Sequence, residues 1–258
     1  MKKISFTSSV NKSKEQALFY MPKSQKKTPL LVGLHTWSAD MYNQEKQMLP
    51  FAKKYKWWLL LPEFRGPNLD SNPRKEMACG SKIAKQDIID SVNYIIKTNR
   101  NIDKTKILLL GGSGGGHMSL LMAAYEPKLW FAVSSWCPIT NLEKWYFQNK
   151  NYAKHIKSCC SGIPGENSKI KKDYKYRSPI SYLKELSKVK YLSINHGKWD
   201  PSVPFTHSYN LFNKIQKVYP KSNIYLNIFN GGHELYYSEA FNEFDKLIKG
   251  NKKYQLSK

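Results

Sequence analysis

The chain begins with two short apolar runs, residues 4–10 and 16–22, joined by the polar link NKSKE. Two such runs around a short polar link predict a β-hairpin or meander at the start of a sheet. Six further apolar runs predict strands, several of them buried on both faces as in a parallel sheet. These runs cover residues 29–35, 57–63, 106–111, 130–136, 190–196 and 223–229. The pattern therefore predicts eight strands.

Apolar residues with helical spacing lie between the later strands. One set, Ile88, Val92, Ile95 and Ile96, predicts a helix that begins near Gln86 and Asp87. Two more sets predict further helices, and Gly250 can end the last one: Phe212, Ile215 and Tyr219; Phe241, Phe244, Leu247 and Ile248. Alternating strands and helices predict an α/β fold, an open and mostly parallel sheet with helices on both faces. In that architecture functional residues collect at the carboxyl ends of the strands.

The interval 138–186 is longer than a single crossover between strands requires. It predicts a small helical insertion over the candidate site. The insertion either shapes the substrate pocket or only packs on the sheet edge, and the sequence leaves both roles open. The 258 residues are 41% hydrophobic, with no break in composition, so we expect one domain over 1–258.

The formal net charge of +23 raises the question of a polyanionic partner. Only Arg65, Arg74, Arg100 and Arg177 among the 42 basic residues are arginines, and the lysines are spread along the chain. A solvated lysine surface fits this pattern better than a nucleic-acid site, so no nucleic-acid partner is expected. No apolar run resembles a signal peptide or a membrane span, which predicts a cytoplasmic protein without a membrane partner. The oligomeric state stays open.

The four cysteines are Cys79, Cys137, Cys159 and Cys160. Adjacent Cys159 and Cys160 cannot bridge each other without strain, and no spacing matches a zinc site. Reduced thiols are therefore expected, with a Cys79 bridge to Cys159 or Cys160 as the alternative.

The segment ILLLGGSGGGHMSLLM, residues 107–122, joins a predicted strand to a predicted helix through five glycines and one serine. A phosphate-binding loop would need Gly-Lys-Ser/Thr at the helix start, and G-x-G-x-x-G does not fit the register. The pattern G-x-S-x-G does fit, with Ser113 at its centre. Small neighbours allow the sharp turn that presents a nucleophilic serine, although a tight strand-to-helix connection would also use them.

A serine nucleophile needs a base, and the base needs an acid to orient it. His233 lies in the glycine-rich loop NGGHEL after the last predicted strand, whereas the other five histidines fit hydrogen-bonding or surface roles better. Asp200 follows the preceding strand in HGKWDPSVP, while Asp87, Asp103 and Asp245 read as helix caps, turn residues or solvated charges. The chain order Ser113, Asp200, His233 is the α/β-hydrolase order.

An oxyanion hole would complete this machinery. The backbone N–H of Gly114 supplies one donor, and the second comes from Thr36 or Trp37 in LHTWSAD. Six motifs together resemble the prolyl oligopeptidase-like catalytic domains, the related acyl-peptide hydrolases and the acetyl xylan or feruloyl-type esterases: LHTWS, PEFRGPN, GGSGGGH, RSPISY, HGKWDPSVP and GGHE. The resemblance spans residues 4–248 and implies an eight-stranded α/β-hydrolase fold. Thr36 departs from it, because glycine is usual there.

The sequence predicts a serine hydrolase that needs no cofactor and no metal. A carboxylic ester is the favoured substrate, because this chain lacks the β-propeller of prolyl oligopeptidases and Trp136, Trp145 and Trp199 suit flat or sugar-like groups. A peptidase acting on short or acylated peptides is the first alternative. A non-catalytic hydrolase-fold protein that binds polyanions is the second.

Overall fold

Eight strands form one sheet in the computed structural model, which describes residues 1–250 of the chain. The strands are β1 (Lys2–Thr7), β2 (Lys14–Tyr20), β3 (Thr28–Leu34), β4 (Trp58–Pro62), β5 (Ile102–Gly112), β6 (Ala132–Trp136), β7 (Leu192–Gly197) and β8 (Ile224–Phe229). Their order is β1-β2-β4-β3-β5-β6-β7-β8. The β1–β2 and β2–β4 pairs are antiparallel, and all other pairs are parallel. The predicted eight-stranded, mostly parallel sheet is confirmed.

Nine α-helices accompany these strands in the described part of the chain. They are α1 (Met41–Tyr55), α2 (Lys82–Thr98), α3 (Gly114–Tyr125), α4 (Leu142–Gln148), α5 (Lys150–Cys159), α6 (Ser168–Tyr176), α7 (Leu183–Leu186), α8 (Thr206–Val218) and α9 (Tyr237–Ile248). Sequence reasoning did not identify α1, which contains Pro50. The predicted start of α2 was wrong, because Ser81 caps it by accepting a hydrogen bond from the amide of Ala84. Gly250 follows α9 in a left-handed conformation, as expected.

The central strands are apolar on both faces, because helices cover the sheet from both sides. Along β5, Leu109 packs into one buried cluster with residues of α2, α3 and α8. Its neighbours Leu108 and Leu110 pack into the cluster on the opposite face, with residues of α1 and α9. Burial of both faces explains why these strands appear in the sequence as continuous apolar runs. Parallel pairing from β5 to β8 brings the carboxyl ends of β5, β7 and β8 to one edge of the sheet.

The first hairpin lies about two residues earlier than predicted, because the charged residue Glu15 of β2 is paired inside the protein. Glu15 is buried and accepts a hydrogen bond from Arg74 at 2.8 Å. The buried guanidinium of Arg65 lies between Glu15 and Asp87, and its Nε donates to the Asp87 carboxylate. The expectation that Asp87 is a cap or a solvated charge was therefore wrong. A buried charge is tolerated here because it has a charged partner.

Residues 138–186 fold as helices between β6 and β7, as the sequence predicts. Side chains of α4, α5 and α6 form a third buried cluster with Trp37 and Val203. All four cysteines are buried and unpaired in this structure, and the reduced thiols expected from the sequence stay a prediction. No helix among residues 1–250 has the length and apolar character required to span a membrane.

Candidate active site

Ser113 occupies the sharp turn between β5 and α3, with φ 56° and ψ −119°. Its amide donates to the carbonyl of Trp136 at 2.8 Å, and its carbonyl accepts from the amide of His117 at 2.9 Å. The glycines around it have a steric reason. A Cβ on Gly111 would lie 2.1 Å from the carbonyl oxygen of Gly115, which no side chain tolerates. The geometry is that of a nucleophile elbow.

Asp200 lies just beyond β7 with its carboxylate shielded from solvent. Its Oδ1 accepts hydrogen bonds from the amides of Ser202 at 2.8 Å and Val203 at 2.9 Å. Burial alone would raise the pKa of Asp200. The N–H donors of His196, His233 and Val203 outweigh burial and hold this pKa well below its usual range. The carboxylate is therefore ionised and fixed in orientation.

His233 lies in the loop after β8, and its Nδ1 is 2.6 Å from Oδ2 of Asp200. A carboxylate can only accept, so Nδ1 carries the proton and the other ring nitrogen, Nε2, is left to accept one. Close backbone packing holds this loop against β7. A Cβ on Gly197 would lie 1.9 Å from the carbonyl oxygen of Gly232.

The His233 loop also reaches the elbow. A Cβ on Gly112 would lie 2.7 Å from the side chain of Leu235, so this loop packs against the residue that precedes Ser113. Within the described residues, the Ser113 hydroxyl forms no hydrogen bond with His233. Such bonds are commonly longer in enzymes without substrate and tighten when the substrate binds.

The two candidate oxyanion donors lie side by side. A Cβ on Gly114 would be 2.4 Å from the amide nitrogen of Trp37 and 2.5 Å from its Cα. The carbonyl of Thr36 faces the ring of His35, whose Nδ1 lies 2.9 Å from it. Of the two residues that the sequence leaves open, Trp37 therefore supplies the atoms nearest to Gly114.

The loop after β4 supports this oxyanion segment. Nε2 of His35 lies 2.9 Å from the carbonyl oxygen of Glu63, and the His35 ring stacks on Phe64 with centroids 3.8 Å apart. A Cβ on Gly66 would lie 2.1 Å from the same imidazole, so the glycine of PEFRGPN makes room for His35. Burial raises the pKa of Glu63 to about 7. The hydrogen bond that its carboxylate accepts from the amide of Met41 acts in the opposite direction but is the smaller effect.

The three tryptophans predicted to bind substrate occupy different environments. Trp136 and Trp145 are each 1% exposed, whereas Trp199 is 65% exposed beside Asp200. The Nε1–H of Trp199 donates to Asn230 at 2.9 Å, which holds its indole next to the His233 loop. Substrate contact by Trp199 therefore needs no rearrangement, whereas Trp136 and Trp145 are packed against other side chains.

Sequence reasoning missed the second histidine at the acid. Nε2 of His196 lies 3.2 Å from Oδ2 of Asp200 and 2.7 Å from the carbonyl oxygen of Val203, while Nδ1 lies 2.7 Å from the Ser208 hydroxyl. Its position at the end of a buried strand, four residues before Asp200, was the available signal.

The acid also lies beside two groups that could ligate a metal. Ligand atoms of Cys137, His196 and Asp200 lie within 4.8 Å of one another. Burial raises the pKa of the Cys137 thiol, which keeps it protonated, and both other residues already have hydrogen-bonding partners. The group therefore fits a hydrogen-bonded cluster around the acid better than a set of metal ligands.

Residues 81–253, which include Ser113, Asp200 and His233, match a sequence model of the prolyl oligopeptidase family. The chain belongs to this family. It is 26% identical over 185 residues to acylamino-acid-releasing enzyme 1 of Oryza sativa subsp. japonica, an alignment that covers 67% of this chain and 23% of that enzyme. By family, the chain is a serine hydrolase.

Solved structures show the same fold. The acylaminoacyl peptidase of Pyrococcus horikoshii superposes with a TM-score of 0.76 at 20% identity, over 100% of this chain and 42% of that one. A puromycin-hydrolysing peptidase of Mycobacterium tuberculosis superposes with a TM-score of 0.73 at 14% identity, over 96% of this chain and 38% of that one. The chain thus spans less than half the length of these relatives, and the α/β-hydrolase fold predicted for it is confirmed.

Proposed function

We propose that this chain is a serine peptidase that cleaves short or N-acylated peptides through an acyl-enzyme on Ser113. The hydrogen bond between His233 and Asp200 carries the proposal, because it leaves Nε2 of His233 to accept a proton, on a loop that packs against the residue before Ser113. The relatives support a peptide bond as the substrate, since they are named as acylamino-acid-releasing and acylaminoacyl enzymes. That support favours the peptidase alternative over the carboxylic ester that the sequence alone favours.

The reaction would begin when the Ser113 hydroxyl attacks the scissile carbonyl and His233 Nε2 accepts its proton. Asp200 would orient the imidazole and stabilise the imidazolium that forms. His233 then returns the proton to the departing amine, and a water molecule, activated by the same imidazole, hydrolyses the acyl-enzyme. The chain supplies each proton transfer with its own side chains.

The tetrahedral intermediates would place their negative oxygen between the amides of Gly114 and Trp37. Contact between the two backbones supports this assignment, because donors fixed in place need no reorganisation when the charge develops. Removing one such donor costs about 10²- to 10³-fold in kcat in characterised hydrolases.

A comparison of leaving groups tests the proposal. Initial rates are measured with N-acetylalanine p-nitroanilide, alanine p-nitroanilide and the p-nitrophenyl esters of acetate and butyrate. Each assay is repeated with Ser113→Ala and with Ser187→Ala, whose hydroxyl lies at the surface and bonds the Lys184 carbonyl. The proposal predicts anilide cleavage that Ser113→Ala abolishes and Ser187→Ala retains.

Two outcomes would contradict the proposal. Cleavage of the esters alone, dependent on Ser113, would return the assignment to a carboxylic ester hydrolase. Activity that survives Ser113→Ala in a pure sample would overturn the nucleophile itself. A preference for the acetylated anilide over the free amine would support N-acylated peptides as the substrate class.

A further inference from the structure

The insertion contacts both halves of the candidate machinery through one buried indole. Trp145 lies in α4, a helix whose first turn is capped by the side chain of Asn141. The Trp145 ring meets the ring of Trp37 edge-on, with centroids 4.8 Å apart, and stacks on Tyr152 of α5 at 4.9 Å. The residue that offers its amide beside Gly114 is thus held in place by an aromatic side chain of the insertion.

The same indole is hydrogen-bonded to the loop that carries the acid. Nε1–H of Trp145 donates to the carbonyl of Ser202 at 3.0 Å, and Nδ2 of Asn149 donates to the same oxygen at 2.9 Å. That carbonyl belongs to the peptide group whose N–H, on Val203, donates to Oδ1 of Asp200 at 2.9 Å. The Ser202–Val203 peptide group therefore accepts two hydrogen bonds from the insertion through its oxygen and donates one to the Asp200 carboxylate through its N–H.

A peptide whose oxygen accepts two hydrogen bonds becomes a stronger donor through its own N–H, because consecutive hydrogen bonds polarise one another. The continuous path is short: Trp145, the Ser202–Val203 peptide, Asp200 and then His233. Trp145 also contacts the ring of Trp37, the residue whose amide is the second candidate oxyanion donor. The same indole is therefore connected to the oxyanion segment as well as to Asp200.

We propose that Trp145 is a positioning residue that fixes the Trp37 amide and the Asp200–His233 pair in position relative to each other. This inference rests on the proposed function, since it assigns Trp145 a role in the reaction on Ser113. It differs from the substrate-contact role that the sequence suggests. An indole that is 1% exposed acts through its neighbours rather than on the substrate.

Replacement by phenylalanine separates positioning from bulk packing. Trp145→Phe keeps an aromatic ring near Trp37 but removes the donor to Ser202. Trp130→Phe is the matched control, because Trp130 is also 1% exposed and its Nε1–H also donates to a main-chain carbonyl, that of Met122, at 3.0 Å. Trp130 lies in the cluster that α2, α3 and α8 form on one face of the sheet, away from the aromatic contacts of Trp37.

The experiment measures kcat and KM on the anilide, inhibition by a peptide aldehyde, and the rate at which a fluorophosphonate labels Ser113. Loss of one hydrogen bond predicts about a fivefold fall in kcat and in labelling rate for Trp145→Phe. Aldehyde affinity should weaken in parallel, because the hemiacetal oxygen uses the same donors, while KM stays within about twofold. Trp130→Phe should leave all these quantities within about twofold of wild type, even if its unfolding midpoint falls as far as that of Trp145→Phe.

Asn149→Ala provides a second, milder variant in case Trp145→Phe does not fold. It removes the other donor to Ser202 and should lower kcat and the labelling rate in the same direction. The inference is overturned if both variants match the wild type, or if Trp130→Phe slows labelling as much as Trp145→Phe does. Labelling needs no peptide substrate. A wild type that is labelled at Ser113 but does not cleave anilides would therefore overturn the proposed function while the variants still test Trp145.

Discussion

Replacing Asp200 by asparagine is the most informative change to the base. Its carboxylate lies within hydrogen-bonding distance of four N–H groups, two on each oxygen: the amides of Ser202 and Val203, and the rings of His196 and His233. Asparagine keeps the shape but has only one acceptor oxygen. In either orientation of the amide, its NH₂ group faces two N–H donors, so two hydrogen bonds to a charged group are lost.

The magnitude follows from that geometry. A hydrogen bond to a charged group contributes about 1.5–3 kcal/mol, so Asp200→Asn should lower the free energy of unfolding by roughly 3 kcal/mol or more at pH 7. Catalysis should suffer further. An NH₂ group opposite Nδ1 of His233 favours the tautomer whose proton is on Nε2, and that tautomer cannot act as the base. The corresponding change in a serine protease lowers kcat about 10⁴-fold.

The pH dependence has a definite sign. The folded state holds the pKa of Asp200 below its ordinary value, so the carboxylate stabilises the fold above the unfolded pKa of about 4. This contribution is lost as the pH falls through the lower, folded pKa. The gap in unfolding free energy between wild type and Asp200→Asn should therefore narrow at acid pH.

The assay combines kcat on the acetylated anilide with urea unfolding between pH 7 and pH 3. Asp245→Asn is the control, because that carboxylate pairs with Lys249 at 2.6 Å on the outside of α9 and should change stability by less than about 0.5 kcal/mol. A value of kcat within tenfold of wild type for Asp200→Asn would refute the assignment of the acid.

Three other changes test separate parts of the site. Gly114→Ala should lower kcat about 10²-fold and also lower the unfolding midpoint, because its Cβ would lie 2.4 Å from the amide nitrogen of Trp37 and would force the backbone of the oxyanion segment to shift; unchanged kcat would exclude this oxyanion pair. Trp199→Ala should raise KM and leave urea stability within about 0.5 kcal/mol, because the indole is 65% exposed; an unchanged KM would remove it from the substrate site. Glu63→Gln should stabilise the fold above pH 7 and have less effect near pH 5, because the raised pKa of Glu63 means that its ionisation opposes folding; stabilisation equal at both pH values would contradict this.

The sequence predicted those features that depend on local chemistry and chain order. The glycines around Ser113 and the loops that carry Asp200 and His233 stand directly after apolar strands, and parallel strands bring such loops to one edge. For that reason the sequence predicts that Asp200 and His233 lie together, and the structure shows a hydrogen bond between them.

The remaining features depend on contacts between distant segments. Asp87 reads as a helix cap until Arg65, 22 residues earlier, is placed against it. Trp145 reads as a substrate aromatic until α4 packs its indole on Trp37 and the Ser202 carbonyl. Neither partner can be read from local pattern, because burial and pairing are set by how the insertion and the first hairpin dock on the sheet.

Covalent labelling shows whether Ser113 is the nucleophile. The wild-type protein is treated with a fluorophosphonate, and the intact mass and the modified peptide are measured. We expect one adduct per chain, located on Ser113, absent from Ser113→Ala and formed far more slowly in His233→Ala. An adduct on another residue would contradict Ser113 as the nucleophile, and equal labelling of wild type and His233→Ala would contradict His233 as its base.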